Sequence, residues 1–173
     1  MTKLHQAAPR PRLCDHSGLT PVAVGPYNVL AGGTMYDSFF EWFDYPGEVV
    51  LVPLTDRGVP EDLYEGHIVV PLHLKDFGGV PSNWRELLEE QIVPRLGDDL
   101  PLLAFCAGSH GRTGTFLASL IALLETPEET PDPIAAVRER HCHEAVETRA
   151  QAEAIFALRG QPVPQKYLAT IRR

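Results

Sequence analysis

The chain has 173 residues, 44% of them hydrophobic, with a formal net charge of −8 and three cysteines. That length suits one domain with a sizeable core, and the composition argues against disorder, a disulfide framework and a membrane-spanning helix. The acidic balance argues against a long nucleic acid as partner, since such binding rests on many Lys and Arg contacts. It says little about a small anion held in one positive pocket.

Residues 1–20 read as a flexible lead-in. They carry Lys3, Arg10 and Arg12 but no apolar core, so no secretory signal is expected there. Residues 21–173 read as a single domain. A first strand is expected over 22–31, interrupted at Gly25-Pro26 and ended by Gly32-Gly33. Val49-Val50-Leu51-Val52 is a continuous apolar, β-branched run, the pattern of a strand buried on both faces. His67-Ile68-Val69-Val70 is a second such run. Ser82 is expected to cap a helix over 84–96, with Trp84, Leu87, Leu88 and Ile92 near helical spacing and Pro94 ending or kinking it. Leu102-Leu103-Ala104-Phe105 is a third buried strand, and 113–125 a helix behind it. Two more helices are expected over 133–140, opened by Asp132-Pro133, and over 148–159, ended by Gly160 and Pro162. Strands alternate with helices, which defines an α/β domain with a central, mostly parallel sheet flanked by helices.

Between the third strand and its helix, residues 106–115 read Cys-Ala-Gly-Ser-His-Gly-Arg-Thr-Gly-Thr. A strand, a tight loop and a helix in that order present consecutive backbone N–H groups at a helix N-terminus, which is an anion site. A cysteine at the start of such a loop is favoured as thiolate by those N–H groups and the helix dipole. Arg112 adds a planar fork matched to two phosphate oxygens. A nucleophile and a phosphate cradle in one loop imply phosphoryl transfer through a phosphocysteine.

Through Cys106, Gly111, Arg112, Thr113, Gly114 and Thr115, the segment resembles the signature of the protein tyrosine phosphatase superfamily: a Cys, five residues, an Arg, then Ser or Thr and often Gly. A Walker-type nucleotide loop fails on spacing and on the missing Gly-Lys pair. The resemblance implies the phosphatase fold at its compact, dual-specificity size. It also implies hydrolysis of phosphomonoesters, of phosphotyrosine and by extension phosphoserine or phosphothreonine. Cys106 would attack phosphorus, and Arg112 with the backbone of Ala107, Gly108, Ser109, His110 and Gly111 would hold the phosphate. Thr113 would bond the departing sulfur. No metal and no organic cofactor is implied. Phe105 departs from the family, which usually has a His there that braces the loop.

The leaving oxygen needs a proton, and Asp76 is the candidate acid, in Leu74-Lys75-Asp76-Phe77-Gly78-Gly79-Val80-Pro81 after a buried strand. Asp37, Asp44 and Asp56 compete with it. In Ala145-Val146-Glu147-Thr148-Arg149-Ala150-Gln151, Thr148 and Gln151 match the family's late water-positioning segment, while Glu147 stands where a Gln is usual. Gln151 is a candidate for placing the water or, equally, for capping a helix. His141-Cys142-His143 reads as a polar connector. Three adjacent ligands do not easily reach one tetrahedral ion, so no metal is expected. Cys14 and Cys142 are candidate resolving thiols for oxidised Cys106.

The expected partner is a phosphorylated protein or a small phosphoester. A thiol nucleophile needs a reducing compartment, which points to the cytoplasm. The loop lacks lysine, which favours singly charged phosphoester sites, although phosphoinositides and RNA 5′ ends stay open. So does a non-catalytic phospho-binding module, on the strength of Phe105 and Glu147. Rhodanese-like sulfur transfer shares the Cys-loop-Arg geometry, but the Arg-Thr-Gly-Thr continuation favours phosphatase.

Overall fold

Gly25-Pro26 turns the chain instead of merely interrupting a strand. In a computed structural model, which describes residues 14, 16, 19–36, 39, 47–57, 59 and 61–171, the first strand is a hairpin. Strand β1 (Thr20–Val24) pairs antiparallel with β2 (Tyr27–Gly33), and Val24 faces Tyr27 across the two-residue turn. Gly25 takes a φ of +57°, which suits the first central position of a turn whose second is proline, held at negative φ.

The remaining strands are β3 (Val50–Pro53), β4 (Ile68–Val69) and β5 (Leu102–Cys106). The five-stranded sheet has the order β1-β2-β5-β3-β4, parallel except for β1 against β2. Past β4 the chain goes on bonding to the β3 segment: Val70 N donates to Leu51 O (2.8 Å), Leu72 N to Pro53 O and, after a one-residue slip, Leu74 N to Leu54 O (both 3.0 Å). That ladder carries the chain to Asp76 at the carboxyl ends of the parallel strands, where ligands bind in sheets of this kind.

β3 and β5 are buried along their whole length. Val50, Val52, Leu102, Ala104 and Cys106 join the main core, while Leu51, Leu103 and Phe105 form a second cluster with Phe39 and Val49 on the other face. The two-residue period of a strand thus puts Cys106 and Phe105 on opposite faces.

The expected helix over 84–96 is continuous but uneven: α1 (Trp84–Leu87), a π segment (Leu88–Ile92) and α2 (Val93–Leu96). Pro94 explains the π segment. It has no N–H to donate and its ring would strike the carbonyl four residues back, so the helix widens there. Ser82 does not cap this helix. Asn83 holds the N-cap position, with no side-chain bond.

The central helix α3 (Gly111–Leu124) is buried from Gly111 through Ala122, so it has no polar stripe. Its hydroxyls are satisfied locally: Thr115 Oγ1 donates to Gly111 O and Ser119 Oγ to Thr115 O, each at 2.7 Å, and Ser119 Oγ accepts from Trp84 Nε1 at 3.0 Å. At the far end the Arg159 guanidinium donates to the carbonyls of Ala122 (3.0 Å) and Glu125 (2.7 Å). Helices α4 (Pro133–Arg140) and α5 (Arg149–Ala157) fall where expected, capped by Asp132 and Thr148. α5 ends two residues earlier than the sequence suggests, before Gly160 at φ +62°. A further helix, α6 (Gln165–Thr170), was not expected. It docks through Tyr167, whose hydroxyl donates to the Asp132 carboxylate at 2.8 Å, and Lys166, whose Nζ lies 2.6 Å from the same group. No helix among the described residues is long and apolar enough to cross a membrane.

Glu125, just past α3, accepts from Gly25 N (2.9 Å), Arg140 and the Thr130 hydroxyl, and so ties the hairpin turn to α4. Burial alone would raise its carboxyl, but the Arg140, Thr130 and Gly25 hydrogen bonds outweigh burial and bring it down from 4.5 to about 2. A carboxylate lowered by folding stabilises the protein above its unfolded pKa and loses that contribution as pH falls through the folded one. Glu125→Gln should therefore cost roughly 1–2 kcal/mol at pH 7, after discounting for solvent screening. Denaturant melts should show the gap to the native chain closing as pH falls from about 5 toward 2. A gap that does not change over that range would refute the assignment.

Candidate active site

Cys106 is the last residue of β5, and α3 begins at Gly111. The intervening loop is shaped by how its carbonyls are engaged. Thr34 N donates to Cys106 O (2.9 Å), Met35 N to Ala107 O (3.1 Å) and Gly114 N to His110 O (2.8 Å), and His141 Nε2 donates to Ser109 O (2.7 Å). Ser109, fully buried, takes a φ of +61° to close the curl. No peptide bond among the described residues is cis. In a trans peptide the N–H points opposite the C=O, so carbonyls drawn outward leave the next residues' amides on the inner side. The loop is thereby an anion cradle made of backbone.

Thr113 Oγ1 donates to Cys106 Sγ at 3.1 Å, and both residues are buried. Arg112 is also buried. Its Nη2 lies 3.3 Å from Asp76 Oδ1, and its Nε is buried with no hydrogen-bond partner among the described residues. A buried donor of this kind is costly unless something satisfies it, and a phosphate oxygen would do so. A pocket of about 180 Å³ is lined by Cys106, Ala107, Gly108, His110, Gly111, Arg112, Asp76, Phe77, Met35 and Glu147. Asp76 is exposed at its mouth, and so are Met35 and Phe77, large apolar side chains at the rim. Phe77 has a φ of +54°, in a turn closed by Gly78 N donating to Lys75 O at 2.9 Å. Asp56 does not line this pocket but an adjoining groove that Asp76 and Arg112 also line, with Arg57, His73 and Lys75. Asp37 and Asp44 lie outside the described residues.

Two residues from the late segment take different places. Gln151 is buried and completes a capping box with Thr148: its Oε1 accepts from Glu147 N (2.8 Å) and Thr148 N (3.2 Å). Glu147 lines the pocket itself. Gly111 and Gly114 permit this approach. A Cβ on Gly111 would come within 2.2 Å of Glu147 Oε2, and one on Gly114 within 2.7 Å of Ala145 Cβ. The small-residue spacing of the loop and the late segment were each visible in the sequence, but not that the one makes room for the other.

Phe105 sits on the opposite face of the sheet from the cradle, its ring 4.9 Å from that of Phe39. The loop is held from the other side by His141, whose bond to Ser109 O requires a proton on Nε2. Burial lowers the His141 pKa, and the His110 charge adds to this. Around His110 the structure gathers residues that no sequence spacing linked. Its Nδ1 lies 3.2 Å from Cys142 Sγ, and its ring is 4.8 Å from that of His16. Cys14 Sγ lies 3.3 Å from His143 Nδ1. Burial, with Cys14 beside it, pushes the Cys142 thiol up to about 12.

The chain has the compact fold of the protein tyrosine phosphatase superfamily. Tk-PTP in its active form matches with a TM-score of 0.64 at 22% identity, over 82% of this chain and 97% of that one. A kinase associated phosphatase with its catalytic cysteine replaced by serine gives 0.67 at 19%, over 82% and 93%. A protein tyrosine phosphatase of Trypanosoma brucei gives 0.55 at 17%, over 77% and 68%. No protein-family model matches the chain. Two uncharacterized proteins of Methanocaldococcus jannaschii are similar to it, 30% and 29% identical over 120 residues, or 67% of this chain. The matches take in 59% and 64% of those relatives' lengths.

Proposed function

We propose that the chain is a cysteine-dependent phosphatase acting on phosphomonoesters, with phosphotyrosine as the best-fitting substrate. The observation that carries this reading is the convergence on one small pocket of the Cys106 sulfur, the Arg112 fork and the Asp76 carboxyl. The pocket volume suits a phosphoryl group, and the apolar rim of Met35 and Phe77 suits the ring that carries it.

In the first step the Cys106 thiolate attacks phosphorus, an S–P bond forms, and the P–O bond to the leaving group breaks. Arg112 and the loop amides hold the equatorial oxygens. Phosphate competes with Asp76 for the guanidinium; the Asp76 carboxyl, freed from Arg112 and carrying a proton taken from solvent, gives that proton to the leaving oxygen. In the second step water attacks phosphorus, Asp76 takes a proton from it, and the S–P bond breaks. The Thr113 hydroxyl, already directed at the sulfur, stabilises the thiolate that leaves.

The dependence on Asp76 tests the assignment. A phenolic oxygen of high pKa leaves poorly as an anion, whereas a nitrophenolate leaves unaided. General acid catalysis is commonly worth about 10²–10⁴-fold. Asp76→Asn should lose activity within that range on a phosphotyrosine peptide and far less on nitrophenyl phosphate. Equal losses on the two substrates would remove Asp76 from the role of acid. A native chain that binds the phosphopeptide but turns over neither substrate would instead be a phospho-binding module.

A further inference from the structure

Cys14, His16, His110 and Cys142 come from three separate parts of the chain: the segment before β1, the phosphate loop, and the connector after α4. Each offers one ligand atom, and the four atoms lie within 4.8 Å of one another. His16 and Cys142 are buried, and the other two are half-buried. A tetrahedral zinc ion, with Zn–S of about 2.3 Å and Zn–N of about 2.0–2.1 Å, sets its ligand atoms roughly 3.3–3.8 Å apart. The His110 Nδ1 to Cys142 Sγ distance of 3.2 Å lies just below that range, so a small side-chain shift would seat the ion.

We propose that Cys14, His16, His110 and Cys142 bind one Zn²⁺ ion as a closed Cys₂His₂ site that fastens the segment before β1 to the phosphate loop. Two thiolates and two neutral imidazoles are the donor set that zinc prefers in structural sites, and four protein ligands leave no position for a substrate. On binding, each thiol gives its proton to solvent, the imidazoles bind through nitrogen lone pairs, and the two sulfur charges balance the ion. The surroundings supply outer partners. Glu144 N lies 3.4 Å from Cys142 Sγ and would donate to the thiolate. His143 and Glu144 can also approach Cys14, but both are exposed. The buried pair His16 and Cys142 makes the first grouping the better cage.

The location gives the ion a purpose. His110 is a residue of the cradle, and His141, next to ligand Cys142, holds Ser109 O. A metal bond at His110 would brace the loop from the side opposite Phe105. The site would stand whether or not the chain turns over phosphoesters, so its test does not use activity.

The full chain would be produced with zinc under reducing conditions, its metal content measured by elemental analysis, and the ion exchanged for Co²⁺. The expected result is one zinc per chain and, for Co²⁺, thiolate charge-transfer absorption with the intense visible bands of a tetrahedral ion. Loss of outer-shell partners costs metal affinity about 10–100-fold, so loss of a ligand should cost at least that much. Cys14→Ser, His16→Gln and Cys142→Ser should each weaken Co²⁺ binding by that factor. Cys14 is half-buried and outside the sheet, so its variant keeps the test valid if Cys142→Ser fails to fold. Cys106→Ser and His143→Gln should keep the metal. Four results would overturn the proposal: a metal-free protein, unchanged binding in Cys14→Ser or His16→Gln, loss of metal in Cys106→Ser or His143→Gln, or a Cys14–Cys142 disulfide in protein kept reduced.

Discussion

Cys106→Ser is expected to abolish hydrolysis of both nitrophenyl phosphate and phosphotyrosine peptide, by at least about 10⁴-fold in kcat, the scale on which losing a covalent nucleophile slows a hydrolase. Binding of phosphate should survive, because the cradle is built from backbone and Arg112 and not from the sulfur. The serine hydroxyl is far less acidic than a thiol and gains little from the amides that favour a thiolate. Acid quench and mass spectrometry should find phosphate on Cys106 in the native chain and none in the variant. A serine variant that turns over within tenfold of native would sink the covalent route.

Arg112→Lys is expected to lose nearly as much activity as Arg112→Ala, about 10²–10³-fold in kcat. Lysine keeps the charge but loses the planar fork that meets two oxygens of a trigonal-bipyramidal phosphorus. Its single ammonium also cannot replace both Nε, buried and without a hydrogen-bond partner among the described residues, and Nη2, which reaches Asp76. If the lysine variant kept most of the activity, charge alone would suffice and the geometric reading of the fork would fail.

The cradle was legible in the sequence because it is contiguous. Cys106, the small residues after it, Arg112 and Thr113 lie in one loop between a run that reads as a buried strand and a run that reads as a helix. Asp76 was legible for a related reason: the strand before it leads directly to the site. What escaped depends on contacts between distant segments. The resemblance pointed to residues 145–151, but not to the packing by which Gly111 and Gly114 let residues 145–147 approach and Glu147 line the pocket. Helix α6 has no strong periodicity of its own and is held by Tyr167 and Lys166 on Asp132. Ser82 looked like a cap because caps are read from residue type, whereas the backbone places Asn83 there. The Cys14, His16, His110 and Cys142 cluster escaped because ligand spacing is informative only within a segment, and these residues meet across three.

The two ends of α3 have a bearing on timing. Its first turn closes the cradle, and its last carbonyls are held by the Arg159 guanidinium, with Ser119 and Trp84 bonded between them. Such a helix would work as an anvil for a bound phosphate, with little freedom of its own. The segment bearing Asp76 is the opposite case, exposed, turned through a positive φ at Phe77 and attached to Arg112 by one ion pair. The slow, gating motions of a catalytic cycle, commonly on the microsecond to millisecond scale, would then fall to that segment. The clock of the reaction would sit on the acid's side of the pocket, apart from the thiol.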